Sequence, residues 1–135
     1  MAHEIAGPTW SDRFASTGIR QHRFVVVKSG GIGYPNASTV GQSVTGVLIS
    51  SGSTGSTDET QYTGTIQLSG IVKVEAESST ISKGDLVSAS SVGRVQSSSN
   101  AGDFIVGRCI GGSSGGANRV LTIHLQPLGS TVTPV

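Results

Sequence analysis

The sequence predicts an all-β domain, a small antiparallel barrel or sandwich of about eight short strands, and three observations carry that reading. Glycine makes up 20 of 135 residues while charged residues reach only 13% and aromatics 4%, a composition of turns and thin strands with few strong helix formers. Apolar runs rich in Val and Ile recur roughly every 10 to 15 residues, separated by Gly, Ser and Thr. Two of the runs alternate with period two, so that one face of each strand looks inward. A helical bundle is excluded.

At this length the chain is one domain's worth, able to bury roughly two thirds of its unfolded surface. Residues 1–20 show no sustained period and hold the only tryptophan, Trp10, with Arg13, Phe14 and Arg20; they read as an extended arm. A Trp gains much area from a surface to lie on, so the arm either caps its own barrel or anchors on a partner. Residues 21–126 form the β domain. Its strands are expected at Arg23 to Lys28, Gln42 to Ser50, Tyr62 to Leu68 and Ile71 to Ala76, then Asp85 to Ala89, Val92 to Ser97, Phe104 to Ile110 and Arg119 to Leu125. The sixth residue of the Ile71 run closes a strict alternation in which Val72, Val74 and Ala76 oppose Ile71, Lys73 and Glu75. Leu121, Ile123 and Leu125 do the same at the end. Ser29 to Gly33 reads as a turn, Ser51 to Thr60 as an exposed polar loop, and Gly111 to Gly116 as a glycine-rich hairpin. Residues 127–135, with Pro127 and Pro134, read as a short extended tail.

The side chains offer little chemistry. Nine Lys plus Arg against eight Asp plus Glu leave a net charge of +1 with no cationic run, which argues against a nucleic-acid partner. No apolar run reaches the length of about 18 residues that a membrane span needs, and the start lacks a signal-peptide pattern, so synthesis in the cytoplasm is expected. Gly112-Ser113-Ser114-Gly115-Gly116 fits the nucleophile-elbow pattern, but beyond Ser114 there is His124 and no acid, the last being Asp103. His3, His22 and His124 are far apart and Cys109 has no Cys neighbour, so no metal ligand set is legible. Gly31-Ile32-Gly33 lacks the third glycine of a phosphate cradle. Asn36-Ala37-Ser38 is a sequon without meaning in a cytoplasmic chain. Cys109 reads as a small core residue, and Lys73, Glu75 and Glu77 as a solvated strand face. No cofactor and no catalytic residue are expected.

The order of the runs resembles one family. Arg23-Phe24-Val25-Val26-Val27-Lys28, then Gly46-Val47-Leu48, then Ser69 to Ala76, Ile81-Ser82-Lys83-Gly84-Asp85-Leu86-Val87, Gly93-Arg94-Val95, Ile105-Val106-Gly107-Arg108 and Val120 to Leu125 are similar to the small β-barrel cement, or head decoration, proteins of tailed bacteriophages. The likeness covers roughly residues 19 to 126, and its most telling element is the Ile-x-x-Gly-Asp-x-Val turn with Gly-Arg-Val behind it. It implies a virion protein on the outer surface of the expanded capsid. Such a protein bridges neighbouring subunits of the major capsid protein, commonly as a homotrimer, and stabilises the shell against internal DNA pressure. The arm is the expected shell-facing part, with Trp10, Arg13 and Phe14 in a groove and Arg20 nearby. Removing the first 18 residues is then expected to abolish docking and leave the domain folded. Two other readings stand beside it: a tail or fibre component, or a biotinyl- or lipoyl-like carrier, since Lys-Gly-Asp-Leu-Val is a turn such barrels also use, with Lys73 or Lys83 as the modified residue.

Overall fold

A computed structural model describes residues 7–15, 18–35, 44–52, 62–77, 81–90, 92–97, 104–111 and 119–130. Among them the chain is all-β, with no helix and ten strands: β1 Thr9–Arg13, β2 Phe24–Lys28, β3 Gly31–Gly33, β4 Gly46–Gly52, β5 Thr63–Gln67, β6 Gly70–Glu75, β7 Leu86–Ala89, β8 Val95–Ser97, β9 Phe104–Gly111 and β10 Val120–Ser130. Two antiparallel sheets of five result, ordered β1-β5-β4-β2-β3 and β6-β10-β9-β7-β8. The eight anticipated runs are all present. The additional two are β1, inside the segment read as an arm, and β3, inside the segment read as a turn.

Both additions have local causes. The turn is only Ser29-Gly30, because Lys28 already pairs with Gly31. Gly31, at φ 124°, is needed there: a Cβ would lie 2.1 Å from the Arg13 carbonyl oxygen. Strand β1 is held by five paired residues along β5, Thr9 to Gln67 through Arg13 to Thr63. The next residue, Phe14, is buried, and fills the space that Gly64 leaves by having no side chain. The arm is therefore part of the first sheet from Thr9 onward. Cutting away 18 residues would take an edge strand and a core phenylalanine with it, which corrects the expectation of a detachable anchor. At the other end β10 continues to Ser130, past the anticipated domain limit at 126, with Gly129 and Ser130 paired to Ile105 and Phe104.

Each sheet curls until its outer strands meet. In the first, Phe14 bridges Ile32 of β3 in parallel; in the second, Ala76, just past β6, bridges Val95 of β8. The curl gives two interiors. One holds Phe14, Ile19, Val25, Ile32, Leu48 and Ile66 inside the first sheet. The larger holds Val72, Val74, Ala76, Leu121, Ile123, Leu125, Val87, Val106 and Cys109 of the second sheet, together with Phe24, Val44 and Val47. Consecutive residues of β2 and β4 thus serve opposite sides: Phe24 and Val47 face the larger interior, Val25 and Leu48 the smaller. Strands β2 and β4 form a wall between them. The alternations read from Ile71 to Ala76 and from Leu121 to Leu125 hold, with the inward residues fully buried.

Candidate functional site

Three places collect the residues singled out by the sequence. The first is the Ile81 to Val87 turn. Ile81 is buried, Asp85 Oδ2 accepts from the Ser82 amide at 2.9 Å, and the Asp85 amide donates to the Ser82 carbonyl at 3.0 Å. Gly84 takes φ 98° and its amide donates to the Cys109 carbonyl, while the Cys109 amide donates to the Asp85 carbonyl and Arg108 Nη1 to the Gly84 carbonyl. These polar groups of the motif are consumed in fixing the turn onto β9. Lys83 stands exposed at its tip.

The second is a charged joint between the sheets that the sequence reading missed. Arg23, nearly buried just ahead of β2, donates through Nε to Glu75 Oε2 of β6 at 3.1 Å and through Nη1 to the Val92 carbonyl at 3.1 Å; its Nη2 lies 3.1 Å from the same carboxylate oxygen. Arg94 Nε stands 3.8 Å from that oxygen, and the Arg23 guanidinium lies 5.9 Å from the Tyr34 ring centre. Glu77 accepts from Ser90 Oγ at 3.0 Å. Glu75 is thus a structural partner and not a solvated face residue, and Gly93 makes the approach possible: at φ 78°, its Cβ would meet the Phe24 carbonyl oxygen at 2.4 Å. An Arg and a Glu some fifty positions apart carry no local signal, so the pair was illegible. Cys109 is fully buried, as expected, and burial pushes its thiol pKa up.

The third is β1. Its register sets Trp10 beside Ile66, which in turn pairs with Leu48. Ile66 and Leu48 are completely buried, yet Trp10, the outermost member of that row, is 56% exposed. A side chain that belongs to a buried row by register but lies uncovered at the sheet margin is a place for a partner. Arg13 and Arg20 are also exposed, and Arg20 lies in a loop pinned by Tyr34, whose hydroxyl accepts from the Arg20 amide at 3.0 Å and donates to the Gly18 carbonyl at 2.9 Å. Side chains alternate along a strand, so Trp10 and Phe14 share one face and Arg13 takes the other. The four residues expected to act together are divided. Phe14 is core and withdrawn from any docking role, Trp10 lies at the mouth of the smaller interior, and the two arginines stand elsewhere on the surface.

Hydrogen-bond parity decides which edge of β1 is used. Leu68 donates to Pro8 and Phe14 to Tyr62, so the even-numbered residues from 8 to 14 bond toward β5. Thr9, Ser11 and Arg13 therefore aim their backbone groups the other way. The Arg13 amide is taken by Asp12 Oδ1 at 2.8 Å. Thr9 and Ser11 are left with their amides and carbonyls on an open edge among the described residues.

The Ser114 motif, Asp103, His3, the sequon and positions 53–60 of the polar loop lie outside the described residues. Among the described residues no group of His, Cys, Asp and Glu could hold a metal ion, and no helix is long and apolar enough to cross a membrane. No protein-family model matches the chain, and neither a curated protein nor a solved structure matches it.

Proposed function

We propose that the chain is a decoration protein that binds the outside of a bacteriophage head, bridges major capsid protein subunits as a homotrimer, and raises the resistance of the shell to internal pressure. The observation that carries this reading is the uncovered Trp10 on an edge strand that is itself locked into the fold. A rigid body with one large aromatic anchor matches what interface energetics favour, since a few buried Trp and Arg side chains dominate binding. A protein that binds the assembled lattice and not the free subunit shifts the balance toward the closed shell. The body suits this work: two interiors share a wall, and the polar atoms of its most characteristic turn are spent on holding strands. The reading carries no catalytic residue, no cofactor and no nucleic-acid partner.

The test is co-sedimentation with expanded heads that lack the protein. Wild-type chain binds and raises the temperature at which heads release DNA; Trp10→Ala loses about 2 kcal/mol or more per site, and Arg13→Ala and Arg20→Ala lose less. Equal binding by Trp10→Ala, or no binding to heads by the folded wild type, defeats the proposal.

A further inference from the structure

We propose that β1 pairs with β1 of a second copy, antiparallel about a two-fold axis through Trp10, and that this pair sequesters the strand until a shell displaces it. The open edge is self-complementary. Thr9 and Ser11 each offer one amide and one carbonyl, and with these two residues alone an antiparallel partner meets all of them when Thr9 lies opposite the partner's Ser11 and Ser11 opposite the partner's Thr9. Shifting by one pleat toward Arg13 wastes bonds, because that amide is already taken by Asp12. Shifting further sets Asp12 against the partner's Asp12, two like charges directly opposed.

The favoured register has a second consequence. It places Trp10 opposite the partner's Trp10 in a non-hydrogen-bonded pair, where side chains approach most closely. Two half-exposed indoles then cover each other, extending the buried row of Leu48 and Ile66 across the axis. Aromatic cross-strand pairs are among the more favourable contacts a sheet makes. An exposed edge with an uncovered Trp invites indiscriminate pairing, and a closed two-fold contact removes that edge. The pairing needs only this geometry. Its regulatory sense rests on the decoration reading, because one Trp10 cannot serve a shell and a sister copy together.

Purified full-length protein is followed over a wide concentration range by sedimentation and by tryptophan emission. Trp10 is the only tryptophan, so the emission reports β1 alone. The mass is expected to double with concentration and the emission to move to the blue along the same curve. Ser11→Pro abolishes both changes, since its amide points away from β5: inside the protomer the substitution removes no backbone bond, only the exposed contact of Ser11 Oγ with Thr65 Oγ1 at 3.1 Å. Mass and emission that stay constant in the wild type overturn the proposal, whatever the variant does; doubling that persists in a folded Ser11→Pro also overturns it. Heads then separate the two readings: shell binding without self-pairing defeats this inference alone, and self-pairing without shell binding defeats the decoration reading and the regulatory sense that rests on it, while the pairing itself stands.

Discussion

Two glycines in left-handed conformation separate backbone strain from steric conflict. Gly84 has open space where a Cβ would stand, so Gly84→Ala suffers strain only, about 1 kcal/mol. Gly93 has the Phe24 carbonyl there, so Gly93→Ala is expected to lose clearly more in chemical denaturation. Glu75→Ala strands the nearly buried Arg23 guanidinium and should lower stability by about 2 kcal/mol in the same assay. Cys109 supplies a pH dependence. Its thiol holds its proton more firmly when folded than when unfolded, so the stabilising difference is complete below the ordinary thiol range and is lost as pH climbs from that range through the higher folded value. Urea midpoints should fall on the alkaline side in the wild type, and this part of the slope should vanish in Cys109→Ala. A slope shared equally by the variant would assign the effect to other groups.

Among the elements, β1 is where sequence and structure part most. Strands such as β6 and β10 are legible because Val72 and Val74 in one and Leu121, Ile123 and Leu125 in the other fill an interior at every second position, which writes alternation directly into the residues. In Thr9 to Arg13 no residue is deeply buried, and the buried Phe14 follows the strand, so no period appears. β3 is three residues, two of them glycine, and only its pairing with β2 makes it a strand. The candidate site was legible in part: Trp10 stood out as a lone large aromatic, but its separation from Phe14 and Arg13 is a matter of pleat and register. A chain beginning at Ala15 is accordingly expected to melt well below the wild type and to aggregate, because β5 becomes a bare edge. Trp10→Ala should melt within a few degrees of the wild type. Thermal denaturation of the two proteins distinguishes an integral strand from a loose arm.

At the scale of the whole molecule the two interiors are expected to unfold as one. Leu48→Ala opens the smaller and Leu121→Ala the larger, each at about 2–5 kcal/mol, and neither should produce a second transition. The chain has a reporter for each half, Trp10 emission beside the first sheet and Cys109 labelling within the second. Their denaturant curves should superimpose. Divergent midpoints would show that the halves melt separately. The continuous apolar runs Phe24-Val25 and Val47-Leu48 held a clue to this arrangement, since strands covered on both sides lose their alternation. A partition that lines two chambers leaves little freedom to the residues that build it. Phe24, Val25, Val47 and Leu48 each answer to neighbours on one side while their adjacent residue answers to the other, so drift at any of them disturbs packing in both directions. Sequence divergence should therefore run fastest at the solvent-facing positions of β6 and β9 and slowest along this partition, and a distant cousin of the protein is best sought by its two doublets of adjacent bulky apolar residues.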